Sequence, residues 1–241
     1  MANDYFQFKQ FLVTQARCAM KVCTDSCLFG AWVANDLILQ QSNPEYSMDI
    51  GGGTGLLSLM LAQKISGEIH SVESDSDAFT QMKQNFNESE WAGRLVAFHS
   101  DIKEFKAPAA YDLIISNPPF YENSLKGSHK ARTAAMHDSG LRLEELIKEI
   151  KHHIKVDGYF YVLIASSREK DFEDLLQAYQ ARVSKKLMIK NAVEKPPFRI
   201  AYRGTFASDI HPTETSEICI YQQQQYTPEF KELLKDYYLH L

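Results

Sequence analysis

An apolar run, Tyr46-Ser-Met-Asp-Ile50, breaks into Gly51-Gly-Gly-Thr-Gly55, and a second apolar stretch from Leu56 to Ile65 begins at once. A short buried run, a glycine loop and a helix-length run, in that order, describe a strand that turns sharply into a helix. Glycines at 51, 53 and 55 let the backbone turn tightly and admit a ligand where a Cβ would collide. Free N–H groups at the helix start favour a negative group. The dinucleotide fingerprint G-x-G-x-x-G fails here, because its third glycine would fall on Leu56. Read alone, the loop could also be an ordinary strand-to-helix turn.

The same alternation continues along the chain. Strands are expected at Tyr46–Ile50, Glu68–Glu73, Arg94–His99, Tyr111–Ser116 and Tyr159–Ala165, with helices at Leu56–Ile65, Asp77–Ser89, Leu143–Ile154 and Arg168–Ala181. Such β-α repetition builds a parallel sheet with helices on both faces. Leu143, Leu146, Ile147, Ile150 and Ile154 form the stripe of a sheet-covering helix. Beyond Ala181 three strand-like runs, Val183–Val193, Ile200–Ala207 and Glu217–Tyr221, follow one another without a helix, which favours an antiparallel C-terminal edge. A last helix is capped by Thr227 with Pro228 in its first turn. The expectation is an α/β fold with a mostly parallel, seven-stranded sheet. Nothing marks a linker, so residues 1–241 read as one domain, with a helical segment over 1–40 and C-terminal strands and a closing helix over 182–241.

At 241 residues and 44% hydrophobic composition the chain can bury a large core without metal or disulfide. Its 26 Lys and Arg against 31 Asp and Glu give a net charge of −5, which excludes a uniformly basic nucleic-acid binder; any phosphate-binding surface must be local. Cys18, Cys23, Cys27 and Cys219 lack C-x-x-C spacing and a nearby His, so reduced thiols and no metal site are expected. No apolar run approaches the roughly 18 to 20 residues a membrane span needs, and the start shows neither a secretory nor a transit pattern, so the expected compartment is the cytoplasm. The oligomeric state is left open, with a monomer compatible.

After the fourth strand comes Asn117-Pro118-Pro119-Phe120-Tyr121. Two prolines end a buried ladder, since neither donates, and they fix φ at consecutive residues. A rigid turn results, with a carboxamide before it and aromatics after it. A plain Pro-Pro turn that merely stops a strand would look the same in isolation.

The spacing G-x-G-x-G with Asp49 two residues ahead resembles the donor loop of Rossmann-like methyltransferases, whose ligand, S-adenosylmethionine, carries an ammonium and a carboxylate. The resemblance implies that Asp49 faces that ammonium, directly or through water. Glu73 stands at the end of the next strand, eighteen residues past Gly55, where a carboxylate can accept both hydroxyls of a ribose. Asp101, just past the third strand, matches the acid that accepts from the adenine amino group in such enzymes, though a loop or N-cap role suits it too. The Asn-Pro-Pro-Phe turn resembles that of amino methyltransferases, which hold a planar NH₂ group. There the Asn117 side-chain oxygen and the Pro118 carbonyl would accept its two N–H bonds, and Phe120 would stack on a flipped base.

Phe8-Lys-Gln-Phe11, Ala19-Met-Lys-Val-Cys-Thr-Asp25, Asp49 to Gly55 and Ser116-Asn-Pro-Pro-Phe-Tyr121 occur in that order. With them the chain resembles, over nearly its whole length, the tRNA1(Val) (adenine-N6)-methyltransferase family. The resemblance implies methylation of N6 of adenine 37 in tRNA. It assigns Asp49, Gly51, Gly53, Gly55, Glu73 and Asp101 to the donor, with Lys21, Thr24 and Asp25 near its methionine end and Asn117 between donor and base. Asn117, Pro118, Pro119 and Phe120 would hold the adenine. The sequence departs from an expected Lys-Val-Gly-Thr-Asp-Gly, with Cys23 and Ser26 in place of the glycines.

Seven basic residues and one acid, Glu194, lie between Arg182 and Arg203, among them Lys185, Lys186, Lys190, Arg199 and Arg203; Lys126, Lys130 and Arg132 follow Tyr121 with no acid between Ser124 and Met136. Such patches can bind the phosphates flanking a flipped base, or can be solvated surface. The adjoining His152 and His153 read as surface residues of their helix. Rival readings are an amino methyltransferase of guanine N2 in rRNA, of DNA adenine or of a protein glutamine amide, and a non-catalytic RNA-binding module on the same scaffold.

Overall fold

A computed structural model of the chain describes residues 3–119, 141–208 and 212–241. Strands β1 (Tyr5–Gln7) and β2 (Leu12–Thr14) pair antiparallel as a small sheet of their own, and α1 spans Thr24–Leu39. The segment 1–40 is therefore part hairpin and part helix rather than helical throughout. Three-residue strands are too short to show a period. This hairpin is fastened to the other end of the chain: the Lys9 N–H donates to the Tyr237 carbonyl at 2.8 Å, and the Phe8 and Phe11 rings stack 4.4 Å apart beside Tyr238.

Then follow β3 (Tyr46–Ile50), α2 (Leu56–Ala62), β4 (Glu68–Glu73), α3 (Ser76–Asn87), β5 (Leu95–His99), β6 (Tyr111–Ser116), α4 (Leu143–His153), β7 (Ile154–Ala165) and α5 (Glu169–Ala178). The chain closes with β8 (Arg182–Ala192), β9 (Pro197–Thr205), β10 (Glu214–Gln222), β11 (Gln225–Tyr226) and α6 (Pro228–Leu234). The main sheet has the order β11-β10-β8-β9-β7-β6-β3-β4-β5, nine strands where seven were expected. The C-terminal strands are also arranged differently from a simple antiparallel edge. β9 runs antiparallel between β7 and β8, whereas β10 crosses to the far side of β8 and runs parallel to it. Only the two-residue β11 is antiparallel at the margin.

Local signals explain the boundaries. Asp75 caps α3 by accepting from the Asp77 and Ala78 N–H groups, and Thr227 caps α6 by accepting from Phe230, with Pro228 in the first turn. On α4, Leu143, Leu146, Ile147 and Ile150 are buried as the stripe predicts, but Ile154 already opens β7. Each such side chain contributes about 1.5–3 kcal/mol by leaving water. His153 closes that helix buried, not at the surface, and burial pushes its imidazole pKa down. One core lies under α1, α2, α3 and α6, the other under α4 and α5. Strand order reverses between β3 and β6: β4 and β5 extend one way, β7 the other. A crevice outside the carboxyl ends of strands is expected at that reversal, where ligands bind in open α/β sheets.

Candidate active site

The glycine loop is built by left-handed backbone at three positions: φ is +76° at Gly51, +55° at Gly53 and +80° at Gly55. The Gly51 and Gly52 N–H groups donate to the Val72 carbonyl at 2.9 and 3.2 Å, which holds the turn against β4. A Cβ on Gly51 would meet nothing within 4 Å, and one on Gly53 would just touch the Gly51 carbonyl at 4.0 Å. At Gly52 and Gly55 it would strike Met82 and Phe86 of α3. The loop thus closes against α3 on one side and borders open space on the other.

Beneath it, Asp49 is buried. Its Oδ2 accepts from the Ser58 hydroxyl at 2.8 Å, and its Oδ1 has no hydrogen-bond partner among the described residues. Burial, with the charge of Glu73 adding to it, pushes the Asp49 carboxyl up to about 7. Glu73 braces the loop: its Oε2 accepts from the Gly53 N–H and its Oε1 from the Asp75 N–H, both at 2.8 Å. Ile50, Gly51, Val72, Asp101 and Ile102 line a small crevice beside the loop. Asp101 is held there by the Lys103 N–H at 3.0 Å. The structure therefore brings Asp49, the three glycines, Glu73 and Asp101 to one edge of the sheet.

The N-terminal segment crosses that edge. Gln15 fixes its course, accepting from the Val22 N–H at 2.7 Å and donating to the Asn3 carbonyl at 2.9 Å. Cys18 lies near Glu73 and Asp75, and burial, with those two charges, pushes its thiol up to about 11. Lys21 turns toward Asp4, 3.7 Å away. Thr24 begins α1, and the buried Asp25 accepts from Arg199 Nε at 2.8 Å and from the Ser26 N–H at 3.1 Å.

The Asn-Pro-Pro turn faces the loop. Ile50 and Ser116 are partners in register, and the Ser116 hydroxyl donates to the Ile50 carbonyl at 2.9 Å. Asn117 therefore leaves its strand beside Gly51, about one strand spacing, ~4.8 Å, away. Its Nδ2 donates to the Ser26 hydroxyl at 2.7 Å, while its Oδ1 is buried without a partner among the described residues. Pro118 is buried, Pro119 exposed, and both line a pocket with Leu141, Ile164 and Arg168. Phe120, Tyr121, Lys126, Lys130 and Arg132 lie outside the described residues. Ser26 is the site residue that motif reading missed; its one signal was standing where a glycine was expected.

The model of the methyltransferase small domain matches residues 33–186, well over half of the chain. A tRNA1(Val) (adenine(37)-N6)-methyltransferase from Dyadobacter fermentans is 36% identical over 98% of both chains, and one from Cytophaga hutchinsonii is 38% identical over the whole of both. The chain belongs to the tRNA1(Val) (adenine(37)-N6)-methyltransferase family. Among solved structures, a predicted O-methyltransferase from Agrobacterium tumefaciens superposes with a TM-score of 0.65 over 88% of this chain and 95% of its own, at 13% identity, which speaks to fold alone.

For a member of this family, S-adenosylmethionine is the group to test against the site, and the residues fit it. A buried carboxylate oxygen without a partner suits an ammonium, and two glycines open to space leave room for a ligand against backbone. The cations expected to meet RNA phosphates are arranged less simply. Lys185 pairs with Asp36 at 2.9 Å and Glu214 at 3.2 Å, Lys186 with Glu169 and Glu173, Lys190 with Glu217 at 2.9 Å, and Arg199 with Asp25. Arg203 is buried 3.4 Å from Asp36 and stacks on Tyr159. The excess of cations along the sequence is thus offset by carboxylates brought in from α1, α5 and β10. In register, Lys185 lies opposite Arg203 and Arg203 opposite Tyr161, in mid-sheet, whereas Arg199 lies opposite Ala165 at the active edge.

Proposed function

We propose that this chain methylates N6 of adenine 37 in tRNA(Val), taking the methyl group from S-adenosylmethionine, and that it works as one catalytic domain in the cytoplasm. The observation that carries this reading is the buried, unpartnered Asn117 Oδ1 beside the glycine loop. An exocyclic amine is a poor nucleophile, because its lone pair is delocalised into the ring. Asn117 Oδ1 and the Pro118 carbonyl accept its two N–H bonds and draw the lone pair out. Both oxygens also oppose the positive charge that grows on the attacking nitrogen, so they favour the transition state over the bound base. Pro118 and Pro119 keep that corner rigid, and Phe120 stacks on the flipped adenine.

When bound, the donor supplies an electrophilic methyl group on a sulfonium. Asp49 receives its ammonium, Glu73 its ribose hydroxyls and Asp101 its adenine amine, with Gly51, Gly53 and Gly55 allowing close approach and Lys21, Thr24 and Asp25 near the methionine end. Tyr121, Lys126, Lys130 and Arg132 follow directly on the catalytic turn and are assigned to the RNA. Lys185, Lys186, Lys190, Arg199 and Arg203 already have carboxylate partners and are given a lesser part.

The test is incubation with labelled donor and unmodified tRNA, followed by nucleoside analysis. The label is expected in N6-methyladenosine at position 37. Its appearance in N2-methylguanosine, or in protein glutamine, would overturn the assignment.

A further inference from the structure

A carboxamide presents two ends of nearly the same shape and opposite hydrogen-bonding character, and half a turn about its last bond exchanges them. At Asn117 the exchange decides the chemistry. With the oxygen toward the base, the substrate amine meets an acceptor; with the NH₂ toward it, two donors face each other and the lone pair is not drawn out. Something in the protein must select one orientation, and Pro118 and Pro119 fix only the backbone.

We infer that Ser26 is the positioning residue that selects it: its hydroxyl oxygen accepts from Asn117 Nδ2 and holds Oδ1 toward the substrate amine. The two atoms are 2.7 Å apart, Ser26 is 5% exposed, and Asn117 Oδ1 has no partner among the described residues. This rests on the proposed function for the identity of the amine.

A hydroxyl can also donate, so its own polarity has to be set. Its oxygen lies 2.9 Å from the Cys23 sulfur. Burial pushes that thiol up to about 11, the charge of the neighbouring Asp25 adding to it, so the sulfur stays protonated. A thiol sulfur can accept as well as donate, and a hydroxyl that donates to it keeps its own oxygen free to accept from Asn117 Nδ2. Asp25 is itself held by Arg199 Nε and by the Ser26 N–H. Cys23 and Ser26 are the two residues that depart from the expected glycines, and a glycine at 26 would bring no hydroxyl to Asn117.

The experiment compares wild type, Ser26→Ala and Ser26→Thr, and the same Ser26→Ala change in an Asn117→Asp background, where both side-chain oxygens accept and no orientation remains to be chosen. The expected result for Ser26→Ala is about a tenfold loss in kcat on tRNA, the scale of one hydrogen bond, with donor Kd and thermal midpoint unchanged. Ser26→Thr recovers part of the loss, and in the Asn117→Asp background the alanine costs less than about twofold, because the hydrogen bond it removes no longer selects an orientation. Unchanged kcat in Ser26→Ala, or a matching loss of donor affinity, would sink the assignment. A second readout needs no substrate. In ¹⁵N-labelled protein the Asn117 side-chain amide, identified by its absence in Asn117→Asp, should exchange slowly with water in wild type and rapidly in Ser26→Ala. Equal exchange overturns the contact whether or not tRNA is the substrate, whereas a wild type that forms no N6-methyladenosine overturns the proposed function alone.

Discussion

Buried under the glycine loop, Asp49 keeps its proton below neutrality, because desolvation has pushed its carboxyl up to about 7 from an ordinary 3.8. Between those values the folded protein binds more protons than the unfolded chain, so the stability of the donor-free protein falls as pH rises from about 4 to 7. An ammonium at the unpaired Oδ1 reverses that preference, since it needs the carboxylate. Donor affinity is therefore expected to grow, by up to about tenfold per pH unit, as pH rises toward 7, and then to level off. Titration calorimetry at pH 5.5, 6.5 and 7.5 measures it. Asp49→Asn should bind the donor weakly at all three, and a wild-type affinity independent of pH would remove Asp49 from the ammonium site. Asp49 and Asn117 were legible in the sequence because each is a polar residue at the end of an apolar strand. Ser26 was not, because its partner stands 91 positions away.

Among the elements, those most easily read were β3 and β6, which lie buried inside the sheet and appear as largely apolar runs. The β1–β2 hairpin escaped notice, yet it is wired to the site through one side chain of α3. Asn85 is 1% exposed; its Oδ1 accepts from the Thr14 N–H at 3.0 Å and from the Thr14 hydroxyl, and its Nδ2 donates to the carbonyls of Thr14 at 2.9 Å and of Thr54, in the glycine loop, at 2.8 Å. Asn85→Ala would leave the Thr54 carbonyl and the Thr14 N–H without partners, at about 1–3 kcal/mol for each buried group. The expected outcome is a thermal midpoint lower by several degrees together with weaker donor binding, read by differential scanning calorimetry and titration. A midpoint drop with donor Kd unchanged would mean that the hairpin supports the fold without shaping the loop. The mixed C-terminal sheet was illegible for another reason: strand runs in a row show that no helix intervenes, but not which neighbour each strand joins.

For the molecule as a whole, charge counted along the chain and charge arranged in space give different pictures. The stretch from Arg182 to Arg203 carries a surplus of cations in a protein of net charge −5. Folding places Asp36 of α1, Glu169 and Glu173 of the preceding α5, and Glu214 and Glu217 of β10 against those side chains. A count over residues 182–203 alone does not include any of these carboxylates. These lysines are half-buried and Asp36 is buried, and the pairs occupy the cations, so a phosphate would have to displace a carboxylate to bind. Lys126, Lys130 and Arg132 follow the Asn-Pro-Pro turn in the sequence, within the acid-free stretch from Ser124 to Met136. Replacing those three with Gln should raise the KM for tRNA at least about tenfold and flatten its log–log salt dependence by about 2, near 0.7 per lost single-strand phosphate contact. Lys186→Gln with Lys190→Gln should leave both within about twofold, since those lysines are already paired. Steady-state kinetics from about 50 to 200 mM salt decides between the two surfaces: a larger loss in the second variant would move the RNA onto β8, with Glu169, Glu173 and Glu217 released from their lysines as it binds.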